Sequence, residues 1–560
     1  MKKLIIIIIC VLSFSSCNDD ILDIPAKDRI AEDIVWTDAN LIRAYHTELY
    51  NCIPHGFRIH MQSKATDEAY CSVSWDIGII QAGSLTPDNV TSVSNTHWTG
   101  GGNLYYWDTG YQYVRKINIF LEKMEGDIQL EHKERLIAEA KFLRAYTYFM
   151  LIHRFGGVPI VTESFGMDDD ITFSRSSFDD CVEFIEQDLT EAIKDLPEKY
   201  AASDSQFGRA TKDACKALRS RMYLYAASPL FNPSNDRQKW QKAADAAEDL
   251  LDSDYALFPD YAKLFNQPSG AANSELIFAR TFSTTNFHQA PMHNLGRRYG
   301  AYGGWWASNG PSQNLVDDYD MINGEPPFIY VNGEKTINPA SGYDPQDPYK
   351  DRDPRLYESI IFDGSTYHGD LHEMWVSTDE NTWGYDSYKQ SGDNPRSNYI
   401  MKKFMPDEGV DLSWQETYTN PWIIFRYAEI YLNYAEAMFE LGDEATCREY
   451  ISRVRERVGM PAIPNTVTGE ELRNRIYNER RIEFVFEEHR FWDVRRWKIA
   501  MEIENRPIYG MDIYKDVDTG EKSYEPVLLN EREFLEEMYL LPIATDEIRK
   551  TSLEQNQGYR

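Results

Sequence analysis

The chain has 560 residues, of which 42% are hydrophobic and 13% aromatic, so it has the apolar surface that disordered chains lack and is expected to be globular. Lys and Arg total 58 against 90 Asp and Glu, which gives a formal net charge of −32. Because this charge repels phosphate backbones, it argues against nucleic acid as a partner.

The N-terminal residues have the features of a lipoprotein signal. Met1 to Lys3 are basic at two of three positions, and the apolar stretch 4–12 is too short for the ~20 residues of a membrane-spanning helix. Small residues then lead into Cys17. We predict that residues 1–16 are removed as a signal peptide and that Cys17 is lipidated. The alternative is an ordinary signal peptide cut near Ser16, with Cys17 unmodified.

The five cysteines after Cys17 are widely spaced and include no C-x-x-C pair, which argues against a zinc knuckle or a thioredoxin-type motif. They are Cys52, Cys71, Cys181, Cys215 and Cys447. Two interpretations stay open: Cys52 and Cys71 form a disulfide in an exported protein, or most of these cysteines are small buried hydrophobic residues.

Apolar and small residues recur at helical spacing in several stretches, one of them at 136–150. Others come in pairs, with 212–227 followed by 240–251 and 427–441 followed by 445–457. Alanines stand where paired helices approach closely. This pattern is typical of tetratricopeptide helical hairpins, but no regular repeat period survives, so the predicted repeats are degenerate.

Between about 259 and 420 the helical periodicity is lost, and Gly, Pro, Asn, Asp and aromatic residues dominate. So long a stretch is expected to contain its own short strands and ordered loops. We therefore predict a mainly α fold in one domain, 17–560, with a helical frame at about 36–258 and 421–560 packed against this loop-rich insert. Binding residues are expected in the insert and in the Gly-rich stretch 76–108, because functional loops sit on rigid scaffolds.

The sequence lacks three common enzyme motifs: it has no phosphate-binding G-x-x-x-x-G-K-[ST], no G-x-S-x-G and no H-E-x-x-H. His368 and His372 are separated by Gly369 and Asp370, which favours a turn over a zinc site. Carboxylate pairs suited to glycoside hydrolysis cannot be chosen from sequence among 90 acidic residues. We predict no catalytic residue, no metal and no cofactor.

The segment 472–497 is dense in charges of both signs with apolar residues between them. Opposite charges recur at helical spacing, as in Arg480 with Glu483 and Glu487 with Arg490. We predict a structural ion-pair network around packed helices rather than an anion-binding site.

Aromatic residues in Gly-rich loops are the candidate ligand contacts. A flat ring beside glycine backbone suits stacking on the C–H face of a sugar, while Asn side chains bind hydroxyls. The alternative is that each tryptophan fills the core from a loop, and for Trp107 we favour that alternative. The predicted ligand-binding residues are Trp98, Asn103, Tyr299, Tyr302, Trp305 and Trp306.

Several motifs along the chain, taken together with the Cys17 signal, resemble one family. These are Ala138-Glu139-Ala140-Lys141-Phe142-Leu143-Arg144-Ala145-Tyr146, Arg154-Phe155-Gly156-Gly157-Val158-Pro159, Arg352-Asp353-Pro354-Arg355-Leu356, Arg426-Tyr427-Ala428-Glu429, Asn478-Glu479-Arg480-Arg481, Arg490-Phe491-Trp492-Asp493 and Gln555-Asn556-Gln557-Gly558-Tyr559. In order and spacing they resemble the SusD/RagB-like outer-membrane lipoproteins of the Bacteroidetes. Asn18 to Asp20 resemble the acidic signal that directs such lipoproteins to the outer surface.

The resemblance implies tetratricopeptide-like helix pairs, a lipid anchor at the cell surface of the outer membrane, and a TonB-dependent SusC-like transporter as partner. Such proteins bind nutrient oligomers, usually glycans, and are not enzymes. The loops around Trp98 and Trp305 correspond in position to the family's variable binding regions. Two alternatives stay open: the same fold binding peptides, as the RagB branch suggests, and a secreted glycoside hydrolase.

Overall fold

The computed structural model describes residues 32–70, 75–94, 102–166, 172–299, 307–331, 333–410, 412 and 417–559. Within these ranges the helices of seven residues or more are α1 (Ala39–Leu49), α2 (Trp107–Glu125), α3 (Lys133–Phe155), α4 (Phe178–Ala192), α5 (Lys212–Ala227), α6 (Arg237–Glu248), α7 (Tyr427–Glu440), α8 (Glu444–Glu456), α9 (Gly469–Glu483), α10 (Arg490–Arg496) and α11 (Thr545–Thr551). Shorter helices include Gln62–Ala65, Gly78–Gln81, Tyr261–Leu264, Ala290–Asn294, Arg297–Tyr299, Gln313–Asp318, Pro354–Ser359 and Ala500–Ile503.

Consecutive helices pack as pairs: α3 with α4, α5 with α6, and α7 with α8, while α7 also packs on α6. The predicted helix at 136–150 is confirmed within α3, and the predicted pairs are confirmed as α5 with α6 and α7 with α8. Their boundaries follow from local chemistry. Thr211 caps α5 by accepting the Ala214 N–H at 3.1 Å. Gly442, at φ +86°, ends α7 before Asp443 caps α8.

The Gly156-Gly157 pair has a specific structural cause. Gly156 follows the last residue of α3 with φ +75°, a left-handed conformation that favours glycine. At Gly157 a Cβ would overlap the carbonyl oxygen of Ser176. The two glycines therefore let the chain turn off α3 and pass close to the start of α4.

The strands are short, and most lie between α6 and α7. They are β1 (Ala69–Tyr70), β2 (Leu276–Arg280), β3 (Gly310–Pro311), β4 (Phe328–Val331), β5 (Glu334–Ile337), β6 (Ile360–Ile361), β7 (Thr366–Tyr367), β8 (Asp370–Leu371), β9 (Val376–Ser377), β10 (Ile400–Met401), β11 (Trp422–Arg426), β12 (Ile508–Lys515) and β13 (Lys522–Asn530). Antiparallel pairs join β1 with β3, β2 with β11, β4 with β5, β6 with β10, and β7 with β8. Because β11 leads directly into α7, the β2–β11 pair connects the loop-rich region to the helices. The turn predicted between His368 and His372 is confirmed in the β7–β8 hairpin.

The hairpin of β12 and β13 is a feature that the predicted helical frame at 421–560 lacks. The two strands pair antiparallel, and β9 adds to β12 in parallel. Their turn is fixed by Asp516, whose Oδ1 accepts the N–H groups of Asp518 and Thr519 at 2.9 Å. Gly520 completes the turn at φ +77°. This part of the expected helical frame was wrong.

The largest core cluster joins α1 to α5 with the strands and the C-terminal segments. Trp107 is 2% exposed, and its ring meets that of Phe155 edge to face at 5.1 Å, so its predicted place in the core is confirmed. Cys52, Cys181, Cys215 and Cys447 are buried free thiols, and Cys71 lies outside the described residues. In the described part of the chain, no helix combines the length and apolar character needed to cross a bilayer.

Buried ion pairs hold the helices to the loop-rich region. Arg426, 1% exposed, binds Glu275 and Glu487 at 2.7 Å and Glu483 at 2.5 Å. Burial alone would raise the pKa of Glu483, but three neighbouring guanidinium groups, among them that of Arg426, bring it well below its ordinary range. The predicted structural network is therefore confirmed.

The partners within that network differ from the predicted ones. Arg480 pairs with Asp493 at 3.2 Å instead of with Glu483, and Arg490 pairs with Asp67 at 3.0 Å instead of with Glu487. The predicted local pairs were wrong because these side chains point inward, where Asp493 of the following helix meets Arg480 and the remote Asp67 meets Arg490.

Candidate functional site

The predicted site residues divide between described and undescribed parts of the chain. Trp98 lies in the segment 95–101, here called the first loop, and Tyr302, Trp305 and Trp306 lie in 300–306, the second loop; both segments, like Cys17, are outside the described residues. Asn103 and Tyr299 are described. The site is therefore built from the residues that flank the two loops.

The flanks of the first loop are held together. The Tyr105 N–H donates to the carbonyl of Val93 at 3.0 Å, which closes the loop at its base. Gln62 Nε2 donates to the carbonyl of Gly102 at 2.9 Å. Gly102 has φ +60°, and a Cβ there would lie 2.9 Å from the backbone nitrogen of Gln62. The loop thus ends at a glycine pressed against Gln62.

The second loop is closed in the same way. The Ser308 N–H donates to the carbonyl of His293 at 2.9 Å. The next residue, Asn309, is 0% exposed; its Oδ1 accepts the Met61 N–H at 3.0 Å and its Nδ2 donates to the Ile59 carbonyl at 3.1 Å. The residues that follow the two loops, Gly102 and Asn309, therefore both hydrogen-bond to one buried segment, 59–62, which we call the shared base.

Side chains of helix α10 and of the end of α9 hold the shared base and the residues that follow it. Trp492 Nε1 donates to Gln62 Oε1 at 2.7 Å, which orients the Gln62 amide toward Gly102. Asp67, a few residues beyond the base, binds Arg481 at 2.7 Å and Arg490 at 3.0 Å. Burial would raise the pKa of Asp67, but these two guanidinium groups lower it far below its ordinary range. The ion pairs of Arg481 and Arg490 with Asp67 thus hold the chain next to the shared base.

Glu68 is a buried carboxyl next to this network. It is 1% exposed, and neither carboxyl oxygen has a hydrogen-bond partner in the described chain. Burial raises its pKa to about 8, so it is protonated at neutral pH. A general acid needs such a raised pKa. Neighbouring Asp67, whose pKa is depressed, is ionised, so the two carboxyl groups have the protonation states of an acid and a base. Both side chains are buried, however, at 1% and 4% exposure.

Asn103 lies two residues after the first loop and is buried. It has φ +59° and is 2% exposed. Its Nδ2 donates to the carbonyl of His55 at 3.2 Å, and its own carbonyl accepts from Arg154 at 3.2 Å. Its side chain is thus held inside the protein, and its role as a ligand contact stays a prediction.

Tyr299 lies directly before the second loop and is half-buried. Its hydroxyl donates to the carbonyl of Tyr367 at 2.6 Å, and its ring lies 5.4 Å from that of Tyr367. Arg298 beside it binds Asp386 through two hydrogen bonds of 2.9 and 2.7 Å. These contacts fix the start of the second loop on the loop-rich region. The role of Tyr299 as a ligand contact also stays a prediction.

Two sequence models of protein families match the chain. The one described as "SusD family" matches residues 274–559, just over half of the chain, and the one described as "Starch-binding associating with outer membrane" matches residues 38–224. The chain belongs to the SusD family. The resemblance drawn from the sequence motifs is therefore confirmed.

Individual relatives agree with membership of the SusD family. The chain is 26% identical over 410 residues to a SusD-like protein of Formosa agariphila, covering 71% of this chain and 70% of that protein. It is 25% identical over 433 residues to the starch-binding protein SusD of Bacteroides thetaiotaomicron, covering 73% and 71%. A crystal structure of a SusD-like protein from Bacteroides fragilis superposes with a TM-score of 0.75 at 29% identity, covering 94% and 99%. The predicted SusD-like, mainly α fold is confirmed.

The shared base and two exposed aromatic residues were missed by the sequence analysis. Trp383 and Tyr385 are 39% and 45% exposed, and the Arg298 guanidinium lies 4.6 Å from the centre of the Tyr385 ring. The alternation Trp383-Gly384-Tyr385 favours a strand, but the structure has a single bridge from Trp383 to Val376 followed by a turn at Tyr385 and Asp386. For the segment 59–62 no local signal exists, because its partners are remote in sequence.

Proposed function

We propose that this SusD-family protein is a non-catalytic, lipid-anchored protein of the outer membrane that binds oligo- or polysaccharide at the cell surface and delivers it to a TonB-dependent SusC-like transporter. The observation that carries the proposal is the shared base, to which the residues that follow both tryptophan-bearing loops are hydrogen-bonded. The name of the B. thetaiotaomicron relative, a starch-binding protein, supports a glycan as ligand.

The physical reasoning concerns how a sugar is held. Trp98, Trp305 and Trp306 supply flat apolar surface for the C–H faces of sugar rings, and Tyr302 adds a ring with a polar end. Gly102 and Asn309, which follow the two loops, are buried and hydrogen-bond to the segment 59–62. A rigid base limits the conformational entropy that is lost when a ligand binds, so more of the contact energy is available for affinity.

The proposal that the protein is non-catalytic also has a physical argument. Glu68 has the raised pKa of a general acid, yet its side chain is buried at 1% exposure. General acid catalysis requires the carboxyl within hydrogen-bond reach of the glycosidic oxygen. A reducing-end assay on mixed polysaccharides is expected to detect no product, and release of sugar by the purified protein would contradict this part.

The binding site is tested with Trp98→Ala and Trp305→Ala. An aromatic anchor typically contributes ~2 kcal/mol, so each change is expected to weaken glycan affinity by roughly thirtyfold with little change in thermal stability. Affinity is measured by calorimetry with the glycan that a glycan array selects, and stability by a melting curve. Trp107→Ala is the matched control: this core residue is 2% exposed, so its loss is expected to cost ~3 to 5 kcal/mol of stability.

Comparison with Trp107→Ala defines the result that would contradict the proposed binding site. If Trp98→Ala and Trp305→Ala lose stability as Trp107→Ala does while their affinity is unchanged, the loop tryptophans are core residues. A wild-type protein that binds no glycan on the array would remove the proposed ligand class altogether.

Anchoring and partnership have separate tests. Mass spectrometry of the membrane fraction is expected to show acylated Cys17 at the mature N-terminus, because lipidation at that position would attach the chain to the membrane. A soluble, unmodified chain starting elsewhere would contradict this. Co-purification in mild detergent is expected to recover a TonB-dependent transporter, and isolation of the protein always alone would count against delivery.

A further inference from the structure

A cleft of about 1020 Å³ lies along one face of α9. Glu470, Asn474 and Asn478 line it at the four-residue spacing of a single helix face. The β4–β5 hairpin, the short helix Ala500–Ile503 and the segment 229–240 supply further lining residues. None of the lining residues that the structure describes belongs to the shared base or directly flanks either loop. The cleft therefore differs in its residues from the proposed loop site, and its volume is close to the ~1,000 Å³ of large ligand pockets.

Polar side chains of the cleft are held in place by the protein itself. Asn478 Nδ2 donates to the carbonyl of Asp318 at 2.9 Å. Lys335 binds Asp317, and its ammonium lies 4.3 Å from the centre of the Phe328 ring. Side chains that are ordered before a ligand arrives lose little further entropy when it binds.

The charges of the cleft compensate one another. Seven acidic and six basic side chains are among the described lining residues. Each of the six basic groups contacts a carboxylate, as Lys335 does Asp317 and Arg506 does Glu502. A charged ligand would meet the like-charged member of each pair together with the opposite one. A hydroxyl group meets no such conflict, because it donates to a carboxylate and accepts from a guanidinium.

Aromatic rings stand among these paired charges. Tyr330 is 58% exposed; the guanidinium of Arg506 lies 5.3 Å from its ring centre and donates to its hydroxyl at 3.3 Å. Tyr477, on α9, stacks on Trp497 with ring centres 3.7 Å apart. Both tyrosines line the cleft. The cleft thus combines flat apolar surface with compensated polar groups.

We propose that this cleft is a second saccharide site, which binds an uncharged stretch of glycan at a place other than the shared base. This inference rests on the proposed function. The ligand class follows from the chemistry of the cleft, since an uncharged sugar presents hydroxyl groups to the paired charges and C–H faces to the rings.

The test starts from the full chain carrying both Trp98→Ala and Trp305→Ala, here called the loop variant. Wild-type protein and the loop variant are applied to an array of starch, laminarin, xylan, mannan and polygalacturonate oligosaccharides. The loop variant is expected to keep weaker binding to an uncharged oligosaccharide that the wild-type protein also binds. Calorimetry with that oligosaccharide then gives the remaining affinity.

Two changes in the cleft are added to the loop variant. Tyr330→Ala removes the exposed ring, and Asn474→Trp places an indole into the cleft from an exposed position of α9. Each is expected to weaken the remaining affinity by about tenfold. Tyr509→Ala is the matched control, because Tyr509 is 37% exposed on β12 and is not among the lining residues, so it is expected to leave the affinity unchanged. A melting curve of each variant verifies folding.

The outcomes separate this inference from the proposed function. A loop variant that binds nothing, when the wild-type protein binds, removes the cleft and leaves the loop site. Remaining affinity that neither cleft change weakens, or remaining binding to polygalacturonate alone, also overturns the inference. A loop variant that binds as tightly as the wild-type protein, and loses binding with either cleft change, supports the cleft and contradicts the loop site. A wild-type protein that binds no oligosaccharide on the array overturns both.

Discussion

Replacing Glu68 with glutamine is expected to make the protein more stable at alkaline pH. The side chain is 1% exposed. Desolvation raises the pKa of its carboxyl to about 8, because the guanidinium of Arg481 offsets only part of the effect and the charge of Asp67 adds to it. At neutral pH the folded protein therefore keeps a proton on Glu68 that the unfolded chain has released.

The sign and size of the effect follow from proton linkage. Between the ordinary pKa of 4.5 and the folded value of about 8, the folded state binds more protons than the unfolded chain, so the free energy of unfolding falls as the pH rises. Each pH unit in this window removes about 1.4 kcal/mol, and the whole window removes roughly 5 kcal/mol as an upper bound. Glutamine is neutral at every pH and lacks this loss.

The assay is denaturant unfolding of the purified wild-type protein and Glu68→Gln at pH 5, 7 and 9. The two proteins are expected to differ little at pH 5, and the variant to be more stable by several kcal/mol, roughly 3 to 5, at pH 9. Glu275→Gln is the matched control, because Glu275 is 0% exposed but paired with Arg426 and Arg457, and its loss is expected to destabilise at all three pH values. Parallel stability curves for wild type and Glu68→Gln would refute the reasoning.

Two further predictions concern the frame. Arg426→Met is expected to cost ~3 to 5 kcal/mol in denaturant unfolding, because it removes the buried positive charge that Glu275, Glu483 and Glu487 share. Arg549→Met, whose pair with Asp546 is 74% and 82% exposed, is expected to cost under ~1 kcal/mol. Equal losses would contradict the ranking by burial. Gly157→Ala is expected to lose ~1 to 3 kcal/mol in thermal unfolding through its overlap with the chain before α4, whereas Gly392→Ala, with open space around the added methyl, is expected to be nearly neutral. Indistinguishable melting curves for the two alanine variants would contradict the close approach.

The helices were predictable because their signals are local. The 3.6-residue periodicity, the cap at Thr211 and the glycine at Gly442 lie within a few residues of the ends that they determine. The β12–β13 hairpin was missed because its apolar alternation is weak: Tyr509 and Leu528, at 37% and 48% exposure, face solvent. A half-exposed hairpin gives little contrast between its two faces.

The site was predictable only in outline. Sequence reasoning selected the two Gly-rich loops by composition, but the contact that joins the second loop to the shared base, Met61 with Asn309, spans 248 positions of the chain. The ion pairs show the same limit. Helical spacing suggested Arg490 with Glu487, yet the side chain meets Asp67 from the far end of the chain. No local pattern carries such information.

The closures of the two loops have an evolutionary consequence. Val93 with Tyr105, Gly102 with Gln62, and His293 with Ser308 are joined through main-chain groups on at least one side of each bond. Main-chain groups are supplied by almost any amino acid, so the sequences between these closures can diverge without loss of the bonds that seat them. On the proposed function, a lineage can therefore exchange the specificity of such a protein by replacing two short stretches of chain, while selection on the helices continues undisturbed.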